Sequence, residues 1–170
     1  GVEGLYGSIA RAGASKVFRS LAERCALGED SVLVDVGAGL GRPLLHAMVQ
    51  CGVRRSFGIE LDTIKVSKAQ VFLDRTLRDL AARGVLAGSV APPEVLCAAI
   101  EDVESLGPAT HAYAFWEGIP MEGKLALGRL VRRSPHLRAL AVVQRGFRGR
   151  PAGREMKEMG FGDLELEDSF

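Results

Sequence analysis

Cysteine is scarce in this chain of 170 residues. The three present, Cys25, Cys51 and Cys97, are widely spaced, odd in number and set among alanine, leucine and valine. That pattern excludes a disulfide framework and reads as small apolar residues of a reducing, intracellular compartment. Excess charge of one sign is also missing: 22 Lys and Arg against 21 Asp and Glu leave a formal net charge of +1, so the overall balance draws the protein to neither nucleic acid nor an anionic membrane. No apolar run is long enough to span a bilayer, and no secretory leader is evident. His46 has no ligand-type neighbours at metal-site spacing, so no metal centre is expected. The chain opens on Gly1 instead of methionine and ends on a strand-like Phe170, which is expected of a piece whose flanking segments help complete a site. What the chain does have is apolar content, 47%, enough at this length for one domain with a substantial core.

Residues 32–41, VLVDVGAGLG, organise the rest. An apolar run with one acid reads as a buried parallel strand, and the glycines that follow allow a tight turn in which backbone approaches a ligand. The strict dinucleotide pattern is not met, because Gly41 follows Gly39 by two residues instead of three. Residues 56–62, SFGIELD, form a second short strand ending in a carboxylate. Glu60 lies 19 residues beyond Gly41, the distance needed to run through one helix and return along a neighbouring strand. A carboxylate placed there can accept from a ribose diol.

DVGAGLGR followed by GIELD resembles the first two motifs of the class I S-adenosylmethionine-dependent methyltransferases. The resemblance implies an α/β fold: a Rossmann-like, open, twisted, mostly parallel sheet with helices on both faces, its closing hairpin incomplete here. It implies S-adenosyl-L-methionine as cofactor, with Asp35, Gly37, Ala38, Gly39 and Gly41 along the methionine and sulfonium region and Glu60 and Leu61 at the ribose. An acid after the third strand is implied beside the adenine, Asp102 with Glu101 as its competitor.

In chain order, residues 14–26 read as an amphipathic helix, with 1–30 as an N-terminal part over the cofactor side and 31–170 as the α/β domain. A helix over 42–50 opens with Pro43, which a first turn tolerates, and its N–H groups suit a polar ligand. A long helix spans 63–83 with Gly84 beyond it. The third strand is placed at 95–100, after Pro92 and Pro93. Residues 110–117 are the fourth strand and its exit, beside the glycine strand at the switch point. A helix over 121–131, a fifth strand over 139–143, an Arg- and Gly-rich loop, a short helix over 154–159 and an alternating strand over 162–170 complete the reading. Arg145, Arg148, Arg150 and Arg154 form the one late basic cluster.

Among methyltransferases the chain most resembles the Dot1-like histone lysine group. Leu5-Tyr6-Gly7-Ser8 is similar to its segment over the cofactor, which assigns Tyr6 to that role, although Ser8 stands where the family has an acid. Thr110-His111-Ala112-Tyr113-Ala114-Phe115 is similar to its fourth-strand segment, with His111 and Ala112 in place of paired asparagines. The catalytic candidates are therefore His111, Tyr113, Trp116 and Glu117: His111 as a polar group beside the acceptor, Trp116 as an apolar wall by the methyl group. A basic protein such as a histone is the implied substrate, in the nucleus if the Dot1 resemblance governs and otherwise in the cytoplasm. An RNA or small-molecule acceptor, or a non-catalytic cofactor-binding or interaction domain, stands as the alternative.

Overall fold

The computed structural model describes residues 9–86, 92–144 and 149–170. Five parallel strands form one sheet: β1 (Val32–Val36), β2 (Arg55–Glu60), β3 (Glu94–Cys97), β4 (His111–Phe115) and β5 (Ala139–Val143), in the order β3-β2-β1-β4-β5. The order reverses between β1 and β4, so the loop leaving β1 sits at the switch point, where open sheets of this kind bind ligands. Every residue of β1 is buried, as expected of a central strand covered on both faces.

Alternation along β1 divides the core in two. Leu33 faces α1 (Arg11–Cys25), α2 (Arg42–Cys51) and α3 (Thr63–Ala82), and packs with Phe18, Leu44, Leu73 and Tyr113. Val34 and Val36 face the other way, into a cluster with Trp116, Leu127 of α4 (Met121–Arg132), Met156 of α5 (Ala152–Glu158) and Phe161. Helices thus cover both faces of the sheet, and α1 shares the first core cluster with α2 and α3.

The largest departures from the sequence reading are at three places, with α5 also starting two residues early at Ala152. Helix α1 starts at Arg11, ahead of Gly13: a Cβ at Gly13 would stand 2.9 Å from the Ile9 side chain, so this glycine admits a neighbour instead of breaking the helix. Strand β3 stops at Cys97, not at residue 100, because its partner β2 ends opposite it at Glu60. A last backbone bond joins the Ala98 N–H to the Glu60 carbonyl at 3.1 Å. Residues 162–170, read as an alternating strand, join no ladder. They lead from Phe161 in the second core cluster to the outside of α1. There the Ser20 hydroxyl donates to Asp168 at 2.7 Å, Arg24 pairs with the same carboxylate, and the Lys16 ammonium lies 4.2 Å from the Phe170 ring. Among the described residues, no strand pairs with the outer side of β5, so the sheet ends open there.

Candidate cofactor site

The loop from β1 into α2 is a run of left-handed glycines: Gly37, Gly39 and Gly41 have φ of +80°, +55° and +73°. Only glycine adopts such angles freely, which is why the motif uses it at alternate positions. The loop is anchored from below, with the Gly37 and Ala38 N–H groups both donating to the Ile59 carbonyl at 2.8 and 3.0 Å. Gly41 then lies as N-cap against Leu73, whose nearest atoms would be 3.1 Å from an added Cβ. By contrast, no described residue lies within 4 Å of the Cβ direction of Gly39, so among the described residues the crest of the loop faces open space.

Glu60 closes β2 directly beneath that crest. Its Oε2 accepts from the Gly39 N–H at 2.8 Å and its Oε1 from the Asp62 N–H at 3.1 Å. Asp62 caps α3 by accepting from the Ile64 and Lys65 N–H groups. One carboxylate therefore ties the glycine loop to the start of the next helix. Each of its oxygens keeps a second acceptor direction, while Leu61 beside it stands 67% exposed.

Asp35 is 1% exposed, and its Oδ2 has no hydrogen-bond partner among the described residues. Burial, and secondarily the charge of Glu60, push its carboxyl up to about 8. In the adjacent strand Tyr113 pairs in register with Asp35, is equally buried, and leaves its hydroxyl without a partner among the described residues. Burial and the Asp35 charge push that phenol up. Two buried polar groups without partners on one face are uncommon in a folded protein and mark a place where a ligand atom or water is needed.

Two contacts shape the loop that sequence reasoning passed over. A Cβ on Gly58 would stand 2.6 Å from that of Ala38, so β2 needs a glycine there for the loop to lie flat on it. Ile119, in the exit of β4, comes within 3.8 Å of the Cβ direction of Gly37, and Gly123 leaves room for Ile119 in turn. The available signal was a glycine in the middle of an apolar strand.

The expected residues do not all come together. Asp35, Gly37, Ala38, Gly39, Gly41, Glu60 and Leu61 gather at the carboxyl ends of β1 and β2, and Glu117 is half-buried at the exit of β4. Glu101 and Asp102 are exposed on a short 3-10 turn (Ile100–Asp102), set beyond the shortened β3. His111 stands elsewhere, and so does its neighbour Ala112: both lie at the amino end of β4, away from the glycine loop. The His111 Nε2 is 2.8 Å from the Cys25 carbonyl, which can only accept, so Nε2 carries the proton and Nδ1 faces the Thr110 hydroxyl at 2.9 Å. Burial lowers its pKa, against the raising effect of the Cys25 carbonyl, and His111 is a satisfied core histidine. Trp116 is fully buried against Phe161 at 5.5 Å, on the α4 and α5 side, and is core instead of a wall to the site. Tyr6 lies outside the described residues. No cluster of His, Cys, Asp and Glu among the described residues could hold a metal. A groove of about 370 Å³ on the outside of α1 to α3, lined in part by Arg11, His46 and Phe72, includes none of the loop or Glu60. Loop geometry, not cavity size, locates the site.

The profile of the family described as histone methylation protein DOT1 matches residues 4–88, half of the chain, and spans the loop, Glu60 and α3. This chain belongs to the DOT1 family. A histone-lysine N-methyltransferase specific for H3 lysine-79, from Cryptococcus neoformans var. neoformans serotype D, is 44% identical over 61 residues. That match covers 36% of the DOT1-family chain and 9% of the relative, so the two share only a small part of the relative's length. Solved structures agree on the fold. The precorrin-6y C5,15-methyltransferase of Geobacter metallireducens superposes with a TM-score of 0.56 at 16% identity, over 94% of this chain and 75% of that one. An RNA methyltransferase of Salinibacter ruber, solved with S-adenosyl-L-homocysteine, gives 0.53 at 20% identity over 75% and 71%. An S-adenosylmethionine-dependent methyltransferase of Thiobacillus denitrificans, solved with the same molecule, gives 0.53 at 15% identity over 82% and 51%.

Proposed function

We propose that this DOT1-family domain binds S-adenosyl-L-methionine across the glycine loop and Glu60 and transfers its methyl group to a protein lysine, as in histone methylation. The observation that carries the reading is the hydrogen bond from the Gly39 N–H to Glu60 at 2.8 Å, which sets an open glycine crest and a ribose-type acceptor side by side. The orphaned Asp35 Oδ2 fits the same molecule: a carboxyl that burial keeps protonated up to about 8 would be drawn back towards its anion by a cationic ligand beside it. When bound, the cofactor supplies a methyl group on a cationic sulfur. Gly37 to Gly41 would hold the methionine end close to backbone, and Glu60 would accept from the ribose hydroxyls with Leu61 beside it. Glu101 and Asp102 are the proposed adenine acceptors, reached across the exposed 3-10 turn. Tyr6 is proposed over the cofactor, in the N-terminal part that covers it.

At the acceptor side Glu117 and Tyr113 are the groups to orient an incoming amine. A lysine must arrive without its extra proton, since an ammonium has no lone pair, and alignment with the methyl group then supplies most of the help. A histone substrate places the protein in the nucleus. The second reading, a cofactor-binding domain without catalysis, draws support from His111, which is committed to the Cys25 carbonyl.

Calorimetric titration with S-adenosyl-L-methionine tests the first step. Binding that is lost in Gly39→Arg and in Glu60→Ala supports the site, and transfer of a labelled methyl to histones supports the substrate. A folded sample that does not bind refutes both, whereas binding without transfer to any histone leaves the scaffold reading in its place.

A further inference from the structure

The basic cluster that stands out in the sequence is largely self-neutralised where it is described. Arg150 lies 2.8 Å from Glu155, and Arg154 lies 3.1 Å from Glu158. The opposite holds at the amino ends of β1, β4 and β5. A groove of about 350 Å³ there is lined by Arg55, His136 and Arg138, between Pro108 and Pro135, and no carboxylate lines it. Arg133 is exposed on the turn just before it. None of the three arginines, Arg55, Arg133 and Arg138, has an ion pair among the described residues, whereas neighbouring Arg54 is taken up by Glu29.

The cations are set on rigid backbone. Arg55 opens β2 in register with Val32. The Arg138 N–H donates to the Thr110 carbonyl at 2.8 Å. Buried Ser134 fixes the turn that bears His136, because its hydroxyl donates to the Leu130 carbonyl at 2.7 Å and accepts from the Leu106 N–H at 2.9 Å. Positive groups held at separate strand starts, with no internal counter-charge, are prearranged for a polyanion.

We propose that this amino-end face is a docking surface for the phosphodiester backbone of nucleic acid. Guanidinium forks match phosphate oxygens, and several spaced forks match a repeating charge better than a single anion. The walls, Pro108 and Pro135, offer no deep apolar pocket of the kind that anchors a peptide. Five-residue strands separate this face from the glycine loop by roughly 15 Å at about 3.3 Å per residue, so docking here leaves the loop free. The inference stands whether or not methyl transfer is the activity.

The test is fluorescence anisotropy of the protein with a labelled duplex DNA and with a labelled RNA strand, each about 20 nucleotides long, over a range of salt. Arg55→Gln/Arg138→Gln is expected to weaken binding at least about tenfold at low salt and to lower the slope of log affinity against log salt by about two. Arg55→Lys/Arg138→Lys retains most of the affinity, and Arg150→Gln/Arg154→Gln leaves it unchanged. Stronger binding of DNA than of RNA, or the reverse, identifies which backbone is taken. Absence of binding to both at low salt, an unchanged affinity in Arg55→Gln/Arg138→Gln, or tighter binding of poly-glutamate than of either nucleic acid overturns the proposal. Cofactor titration of the same variants, expected to match the parent, separates this result from the fate of the methyltransferase reading.

Discussion

Along the central pair of strands, β1 and β4, the two ends treat their buried polar groups in opposite ways. At the amino end His111 is met by the Cys25 carbonyl and Thr110, Thr110 by Val32, and Ser134 close by is met by Leu106 and Leu130, while in neighbouring β2 the Ser56 hydroxyl is buried without a partner among the described residues. Toward the carboxyl end Asp35 and Tyr113 keep an oxygen each without a partner among the described residues, and the glycine loop leaves its crest open to them. A buried polar group normally costs about 1–3 kcal/mol when unmet, so a region that tolerates two of them is arranged for something other than its own stability. Polar residue type alone therefore does not identify a site. His111 and Asp35 are equally buried titratable groups, and their partners tell them apart.

Trp116 is where that contrast is most open to attack, since it lies at the carboxyl end yet belongs to the core. Trp116→Ala should cost about 3–5 kcal/mol in denaturant unfolding, as for other large core truncations. A variant of nearly parental stability would return Trp116 to the site.

Next in size is the pH response of the ligand-free protein. The Asp35 carboxyl lies near 8 when folded, above its ordinary 3.8, so between those values the folded state keeps a proton that the unfolded state releases. Its contribution is full below about 4 and is lost as pH rises toward about 8, at up to about 1.4 kcal/mol for each pH unit. Unfolding of Asp35→Asn across that window should show a flatter profile and higher stability at neutral pH. An identical slope in both proteins would mean that Asp35 is not the group responsible.

Gly58→Ala should cost about 1–3 kcal/mol through the clash with Ala38, and should weaken cofactor binding more than its melting temperature suggests, because the loop must lift. His111→Ala, also about 1–3 kcal/mol, should act on stability by leaving the Cys25 carbonyl unmet. The smallest effect is reserved for Asp168→Ala, whose partners Ser20 and Arg24 sit in solvent-exposed positions. Thermal melting should not resolve it from the parent.

Much of the central unit was legible before any coordinates. Strand β1, the glycine loop, α2, β2 and its terminal Glu60 follow from local chemistry: an apolar run, residues that permit positive φ, and an acid at a fixed remove. The parallel sheet and the helices on both faces follow from their alternation. What failed depended on neighbours distant in sequence. The end of β3 was fixed by where β2 stops, not by the apolar residues 98–100. Alternation in residues 162–170 suits a strand, but it equally suits an extended segment laid along a helix. The lone tryptophan gave no sign of which face of the sheet it would enter. The resemblance placed His111 beside the acceptor, but the strand's direction put it at the far end.

The unpaired outer side of β5 carries a practical consequence for anyone handling this domain. Among the described residues β5 has five half-buried residues and a free row of N–H and C=O groups, a template on which another chain can register. At high concentration, association is expected to begin along that border, through backbone pairing instead of side-chain recognition, and because Leu140 and Val142 pack against the second core cluster, a charge in place of either would cost core packing instead of protecting the edge.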